Sequence, residues 1–274
     1  MTRLAGSGRK RVRRAGTGPV GRLNRMAKAQ IIEFAVFGDS HVGYGNSLSM
    51  FGSLLPKAAG SGNKRFFIFG GDNTQAGADH GNHAGTYYKD FKDTVTGTLG
   101  SIPYKASIGN WEASTRPLFT QYLGAVAGQM NFPGTKGRVK YVWLDCALGI
   151  FTPASINLLR KLDDSHYYII DFHWPLKVQG ITVEPSHVLS AAETTRFFSS
   201  IPVKARDKVL AIFTHHGHKF YRKLANIHPD YPRTKFFVCG CSGDYKCKPN
   251  DRGYYNATLT GSGTGYRVDA IIAR

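Results

Sequence analysis

Eight apolar runs in this chain read as short strands, and five of them lead straight into a side chain that can bind a metal. The runs are "IIEFAVFG" (31–38), "RFFIFGG" (65–71), "YKASIG" (104–109), "VKYVWLDC" (139–146), "YYIIDF" (167–172), "VLAIFT" (209–214), "KFFVCG" (235–240) and "YRVDAIIA" (266–273). Helices fit best between them, over about 46–59, 84–99, 115–126, 153–162 and 188–200. Apolar, β-branched strands alternating with helices specify an α/β fold built in layers.

The strand ends carry the chemistry. "GDSH" supplies Asp39 and His41, "GGDN" supplies Asp72, "GN" supplies Asn110, "FHWP" supplies His173, and "FTHHGH" supplies His216 and His218. Singly, each has an ordinary explanation, since Asp and Asn cap helices and start turns. Together they fall where open α/β sheets place their ligand sites, outside the carboxyl ends of the strands. Alternation along a strand puts His216 and His218 on one face and His215 on the other, towards the core. Two Asp, one Asn and four His suit two borderline divalent ions, with Asp72 as the natural bridge.

The motifs "GDSH", "GGDN", "GNWE", "FHWP" and "THHGH", in this order over about residues 33–220, resemble those of the calcineurin-like metallophosphoesterases, and "VCGCSGD" resembles the turn after the last motif in their purple acid phosphatase branch. The resemblance implies a layered β-sandwich flanked by helices, and two metal ions, manganese, zinc or iron, at the carboxyl ends of the strands. It implies that Asp39, His41, Asp72 and His218 hold one ion, and that Asp72, Asn110, His173 and His216 hold the other. The expected activity is hydrolysis of a phosphomonoester or phosphodiester by a metal-activated water. Gln75 stands where the purple branch carries an iron-binding tyrosine, which favours colourless metal pairs.

One position departs from the pattern. Trp111 stands where the family has a histidine that contacts phosphate and helps protonate the leaving group. An indole offers an N–H but no proton to transfer. His80 and His83 in "GADHGNH", or Glu112 with its acidity lowered by burial, are the candidate replacements in catalysis alongside Asp72. Trp111 itself reads either as a stacking platform for an aromatic substrate or as core filling. The alternative function is a catalytically weak or inactive subunit with a structural or RNA-facing role in a larger assembly.

Charge bears on that alternative. The chain has 36 Lys and Arg against 18 Asp and Glu, and residues 1–32 hold nine of the basic residues and no acid. The expected organisation is a basic extension over 1–32 followed by one domain over 33–274. The extension reads as an arm for nucleic acid or another polyanion, as an Arg-rich presequence, or as a solvated tail. No apolar run reaches the ~20 residues of a membrane span, so the expectation is a soluble intracellular protein of the cytoplasm or an organelle with no membrane partner. Four cysteines, Cys146, Cys239, Cys241 and Cys247, form no recognisable disulfide framework or zinc spacing and read as ordinary buried thiols in a reducing compartment.

Overall fold

The structure is a computed structural model that describes residues 29–262 and 265–274. In chain order the elements are β1 (Gln30–Phe37), α1 (Ser47–Gly60), β2 (Lys64–Gly70), α2 (Ala84–Leu99), β3 (Tyr104–Ser107), α3 (Arg116–Leu123), β4 (Gly128–Asn131), β5 (Val139–Trp143) and α4 (Pro153–Arg160). They continue with β6 (Tyr167–Asp171), α5 (Ala191–Ser200), α6 (Val203–Arg206), β7 (Val209–Thr214), β8 (Tyr221–Lys223), β9 (Lys235–Val238), β10 (Tyr254–Ser262) and β11 (Gly265–Ala273). Most of the basic extension expected over 1–32 lies outside the described residues, and β1 already begins at Gln30.

The strands form two sheets, ordered β11-β10-β1-β2-β3 and β4-β5-β6-β7-β9-β8. The centre of each is parallel, β1 with β2 and β3 in one, β5 with β6, β7 and β9 in the other. Period-two alternation builds the layers. Phe34 and Val36 of β1 and Phe66 and Ile68 of β2 face the second sheet, where they meet Tyr141, Ile169, Phe213 and Phe237. Ala35, Phe37, Phe67 and Phe69, one position out of phase, face α1, α2 and α3 and meet Phe51, Tyr88, Phe91 and Phe119. On the far side of the second sheet, Ile156 and Leu159 of α4 and Phe197 and Phe198 of α5 cover Ile170, Ile212 and Phe236. Each of these fully buried aromatic and branched side chains contributes about 1.5–3 kcal/mol through removal from water. The result is the expected β-sandwich flanked by helices.

Three strands were not expected from the sequence. β4 and β8 are short edge strands of mixed polarity. β10 does alternate, with Tyr255, Ala257 and Leu259 buried and Asn256, Thr258 and Thr260 less so, but its small and polar residues mute the apolar signal. It pairs antiparallel with both β1 and β11 and so closes the side of the first sheet.

The cysteine reading is corrected in part. Cys241 and Cys247 form a disulfide, their Cα atoms 5.9 Å apart across a turn of five residues, a separation that suits a bridge. Cys146 and Cys239 are buried free thiols, as expected. Among the described residues no helix is long and apolar enough to cross a membrane.

Candidate metal centre

Register brings the strand ends together. β1 and β2 run parallel with Phe37 opposite Phe69, so the loops that follow them are side by side, tied by Asp39 N to Gly71 O (3.3 Å) and His41 N to Asp72 O (2.9 Å). β6 and β7 run parallel in the other sheet, and the backbone N–H of His215 donates to His173 O at 2.8 Å. The two sheets meet where the His216 backbone N–H donates to Asp39 Oδ2 at 3.1 Å. Glycine makes the approach feasible at two points. A Cβ on Gly70 would collide with the His215 ring, and one on Gly109 would collide with Asp72.

Asp39, His41, Asp72 and His218 offer four ligand atoms all within 4.8 Å of one another, and Asp72, His173 and His216 offer three more under the same limit. Asp72 belongs to both groups. Asn110 joins the second, its Oδ1 3.0 Å from His173 Nε2. The structure therefore brings together all seven ligand-type residues singled out in the sequence.

The donor set fits metal ions. His173 Nδ1 donates to Gly70 O at 3.0 Å, an arrangement that keeps a proton on Nδ1 and turns Nε2 into the centre. Nε2 faces Asn110 Oδ1 at 3.0 Å, His216 Nδ1 at 3.2 Å and Asp72 Oδ2 at 3.3 Å. A metal ion at this point would displace the proton on Nε2 and take these four atoms as ligands. Asp39 Oδ1 is buried without a hydrogen bond, its nearest ion-pair partner being His218 Nε2 at 3.4 Å. The Gln75 amide sits 2.8 Å from His41 Nδ1, which orients the ring so that Nε2 looks inward.

The backbone carries strain at the same residues. Asp39, His41, Asp72, His216 and His218 all have left-handed φ, between 44° and 60°. Such φ values are uncommon outside glycine, cost of order 1–3 kcal/mol each, and cluster where function demands a particular side-chain direction.

Ionisation follows from burial and neighbours. Burial opposes charge on His173, but the Asp72 carboxylate outweighs it and lifts the ring to about 9. Burial drives His41 down to about 4, and burial with the adjacent His173 drives His216 down to about 3. Burial also opposes the charge on Asp72, yet His173 and His41 hold its carboxyl well below the usual range.

The three candidate replacements for the missing histidine are placed elsewhere. His80 and His83 are exposed on the turn before α2, and the His83 ring packs near Tyr87, at 6.0 Å between centroids. Glu112 is buried, and its carboxylate accepts from the backbone N–H groups of Gly109 (2.8 Å) and Thr74 (3.1 Å). Burial and Asp72 push its carboxyl up to about 8. It holds the Gly109 and Asp72 loops together. His215 faces away from the centre, as strand alternation implied, with Nε2 2.9 Å from Asp171 Oδ1 inside the sandwich.

A chamber of about 230 Å³ opens over the ligands, lined by Asp72, Asn110, Trp111, His187, His216, His218, Tyr245 and Lys246. The Trp111 backbone N–H donates to Asp72 Oδ1 at 2.9 Å, and its ring meets Tyr245 edge-on at 5.5 Å. On its other side Trp111 borders an open cleft of about 500 Å³ that includes Gly77, Ser114 and the exposed Leu148. His187, with its ring 5.0 Å from that of His216, and Tyr245, 4.7 Å from His41, were not found by sequence reasoning. Both come from irregular segments with no periodic signal.

No family model and no curated protein matches the sequence. Solved structures do. A dimetal phosphatase from Danio rerio aligns with a TM-score of 0.62 and 12% identity over 89% of this chain and 99% of its own. A purple acid phosphatase from yellow lupin seeds aligns with a TM-score of 0.58 and 13% identity over 85% of this chain and 49% of the lupin protein. GAP50, the anchor in the inner membrane complex of Plasmodium, aligns with a TM-score of 0.57 and 10% identity over 88% of this chain and 84% of its own. The chain has the calcineurin-like metallophosphoesterase fold, and it carries groups of residues that could hold metal ions.

Proposed function

We propose that this protein is a dinuclear-metal phosphoesterase that hydrolyses phosphomonoesters or phosphodiesters. The observation that carries the reading is Asp72, shared by two groups of ligand atoms drawn from both sheets. Ions held there, manganese, zinc or iron, would supply a water that is nucleophilic near neutral pH and a positive charge against the phosphoryl oxygens.

The chain's own residues set up that chemistry. The Trp111 N–H holds Asp72 Oδ1 and the His216 N–H holds Asp39 Oδ2, so each carboxylate keeps one oxygen directed into the centre. Gly70 O and Gln75 fix the rings of His173 and His41. Trp111 walls the chamber on the side of the open cleft and gives no proton to a leaving group. General acid catalysis is typically worth about 10²–10⁴ in rate, so the favoured substrates have leaving groups that depart without protonation.

Trp111 also favours a second reading, a scaffold that keeps metals without turnover. One structural neighbour, GAP50, is described as the anchor in the inner membrane complex of Plasmodium. The nine basic residues of 1–32 would then supply a polyanion-binding arm, a reading that rests on sequence alone.

Hydrolysis of aryl phosphate mono- and diesters by metal-reconstituted protein, with Asp72→Asn as blank, separates the two. Turnover abolished in the blank supports the esterase. Two bound metals without turnover would sink it and favour the scaffold.

A further inference from the structure

Beside the metal centre lies a second chamber, of about 200 Å³, lined by Lys219, Lys246, Lys248, Glu184, Asp251, Gly217, His187 and His218. His187, His218 and Lys246 line both chambers, so the two adjoin. Each alone is smaller than the ~300–1,000 Å³ usual for a small-molecule site, which favours a ligand that occupies both.

Three lysines line this chamber against two carboxylates. None of Lys219, Lys246 and Lys248 has an ion-pair partner among the described residues, whereas neighbouring Arg252 is paired with Asp244 at 3.6 Å. Glu184 is turned to His187, its Oε2 3.7 Å from Nδ1. Lys246 makes only a cation–π contact, 5.2 Å over the Tyr245 ring.

The loop that presents Tyr245 and Lys246 is anchored at several points. The disulfide joins Cys241 to Cys247, Ser242 N donates to Gly38 O at 2.9 Å, and Asp244 N donates to Ser47 Oγ at 2.9 Å. Lys246 itself has a left-handed φ of 48°, a conformation lysine rarely adopts unless its surroundings impose it. The backbone that carries Lys246 is thus held at the rim of the metal centre by a fixed frame.

We propose that this lysine chamber is a subsite for a second phosphoryl group, adjacent to the one held at the metal centre, so that the substrate is a diphosphate or a closely spaced bisphosphate. The inference rests on the phosphoesterase reading for which phosphoryl group reacts, and on the chambers alone for the second anion. Ammonium groups suit a phosphate oxygen as point charges, and unpaired ones at a rim are free to take the role.

Calorimetric titration of metal-loaded protein with inorganic pyrophosphate and with orthophosphate tests it. Wild-type protein should bind pyrophosphate about tenfold more tightly than orthophosphate, or better. The Lys219→Ala/Lys248→Ala pair should reduce that ratio to about threefold or less, and the Lys219→Arg/Lys248→Arg pair should keep it. Metal content and thermal midpoint, measured alongside, show that the variants are folded. A ratio near one in wild type, or one unchanged in the alanine pair, overturns the subsite. Aryl phosphate turnover is read separately: a charge-dependent pyrophosphate preference without turnover would leave the subsite standing and remove the esterase reading.

Discussion

His173 Nδ1 and Gly70 O, 3.0 Å apart, lock one imidazole so that its second nitrogen faces Asp72, Asn110 and His216. The ring follows the end of β6 in one sheet and the carbonyl closes β2 in the other, so the ligand geometry is a property of how the sheets are stacked. Metal binding at this site would therefore be coupled to folding.

That coupling gives the first prediction. An ion that binds only the folded state stabilises by about 2.7 kcal/mol at a concentration 100 times its Kd. For a domain near this size each kcal/mol moves the midpoint by about 2–4 °C. Adding manganese or zinc to metal-free protein should raise the thermal midpoint by about 5–10 °C, and chelation should reverse it. Asp72→Asn should lose most of the shift. A midpoint indifferent to metal in differential scanning calorimetry would contradict the donor geometry.

Trp111 supports a sharper test of chemistry. Its ring borders the ligand chamber, so a histidine there would stand beside the centre. Trp111→His should raise kcat on alkyl phosphates, whose leaving groups need a proton, by about tenfold or more, and change aryl phosphate turnover far less. Equal effects on both substrate types would show that position 111 acts through packing rather than through proton transfer.

Much of this centre was legible because the ligands stand at a change of texture: Asp39, Asp72 and Asn110 each follow the Gly that closes an apolar run, and His173 and His216 come within two residues of the end of one. Strand period also placed His215 on the core side. Tyr245, His187 and Lys246 were not legible, since they reach the site from loops whose path depends on tertiary contacts rather than on local pattern. The Cys241–Cys247 pairing had the same cause. Three cysteines in "CGCSGDYKC" allow several pairings, and the choice falls to Cys239 pointing into the sandwich, with its Sγ donating to Val36 O at 3.3 Å. β10 was missed for a different reason, because its inward residues include one alanine among polar neighbours and its order comes from pairing on both sides.

The last prediction concerns the pair behind the centre. Asp171 Oδ1 faces His215 Nε2 at 2.9 Å and Asp171 Oδ2 accepts from the Ser107 hydroxyl, and all three side chains are fully buried between the sheets. A buried carboxylate deprived of its partner costs about 3–5 kcal/mol, while replacing both members by apolar groups is often near neutral. His215→Ala should therefore destabilise by about 3 kcal/mol or more in urea denaturation. The double change Asp171→Leu/His215→Leu should recover a large part of that loss if the pair serves stability alone. Because His215 N is bonded to His173 O, the double variant also shows whether this polar layer positions a ligand. Stability restored with metal affinity still reduced would mean that the buried pair sets the height of His173 beneath the ions, and stability restored with full metal affinity would assign it to the core.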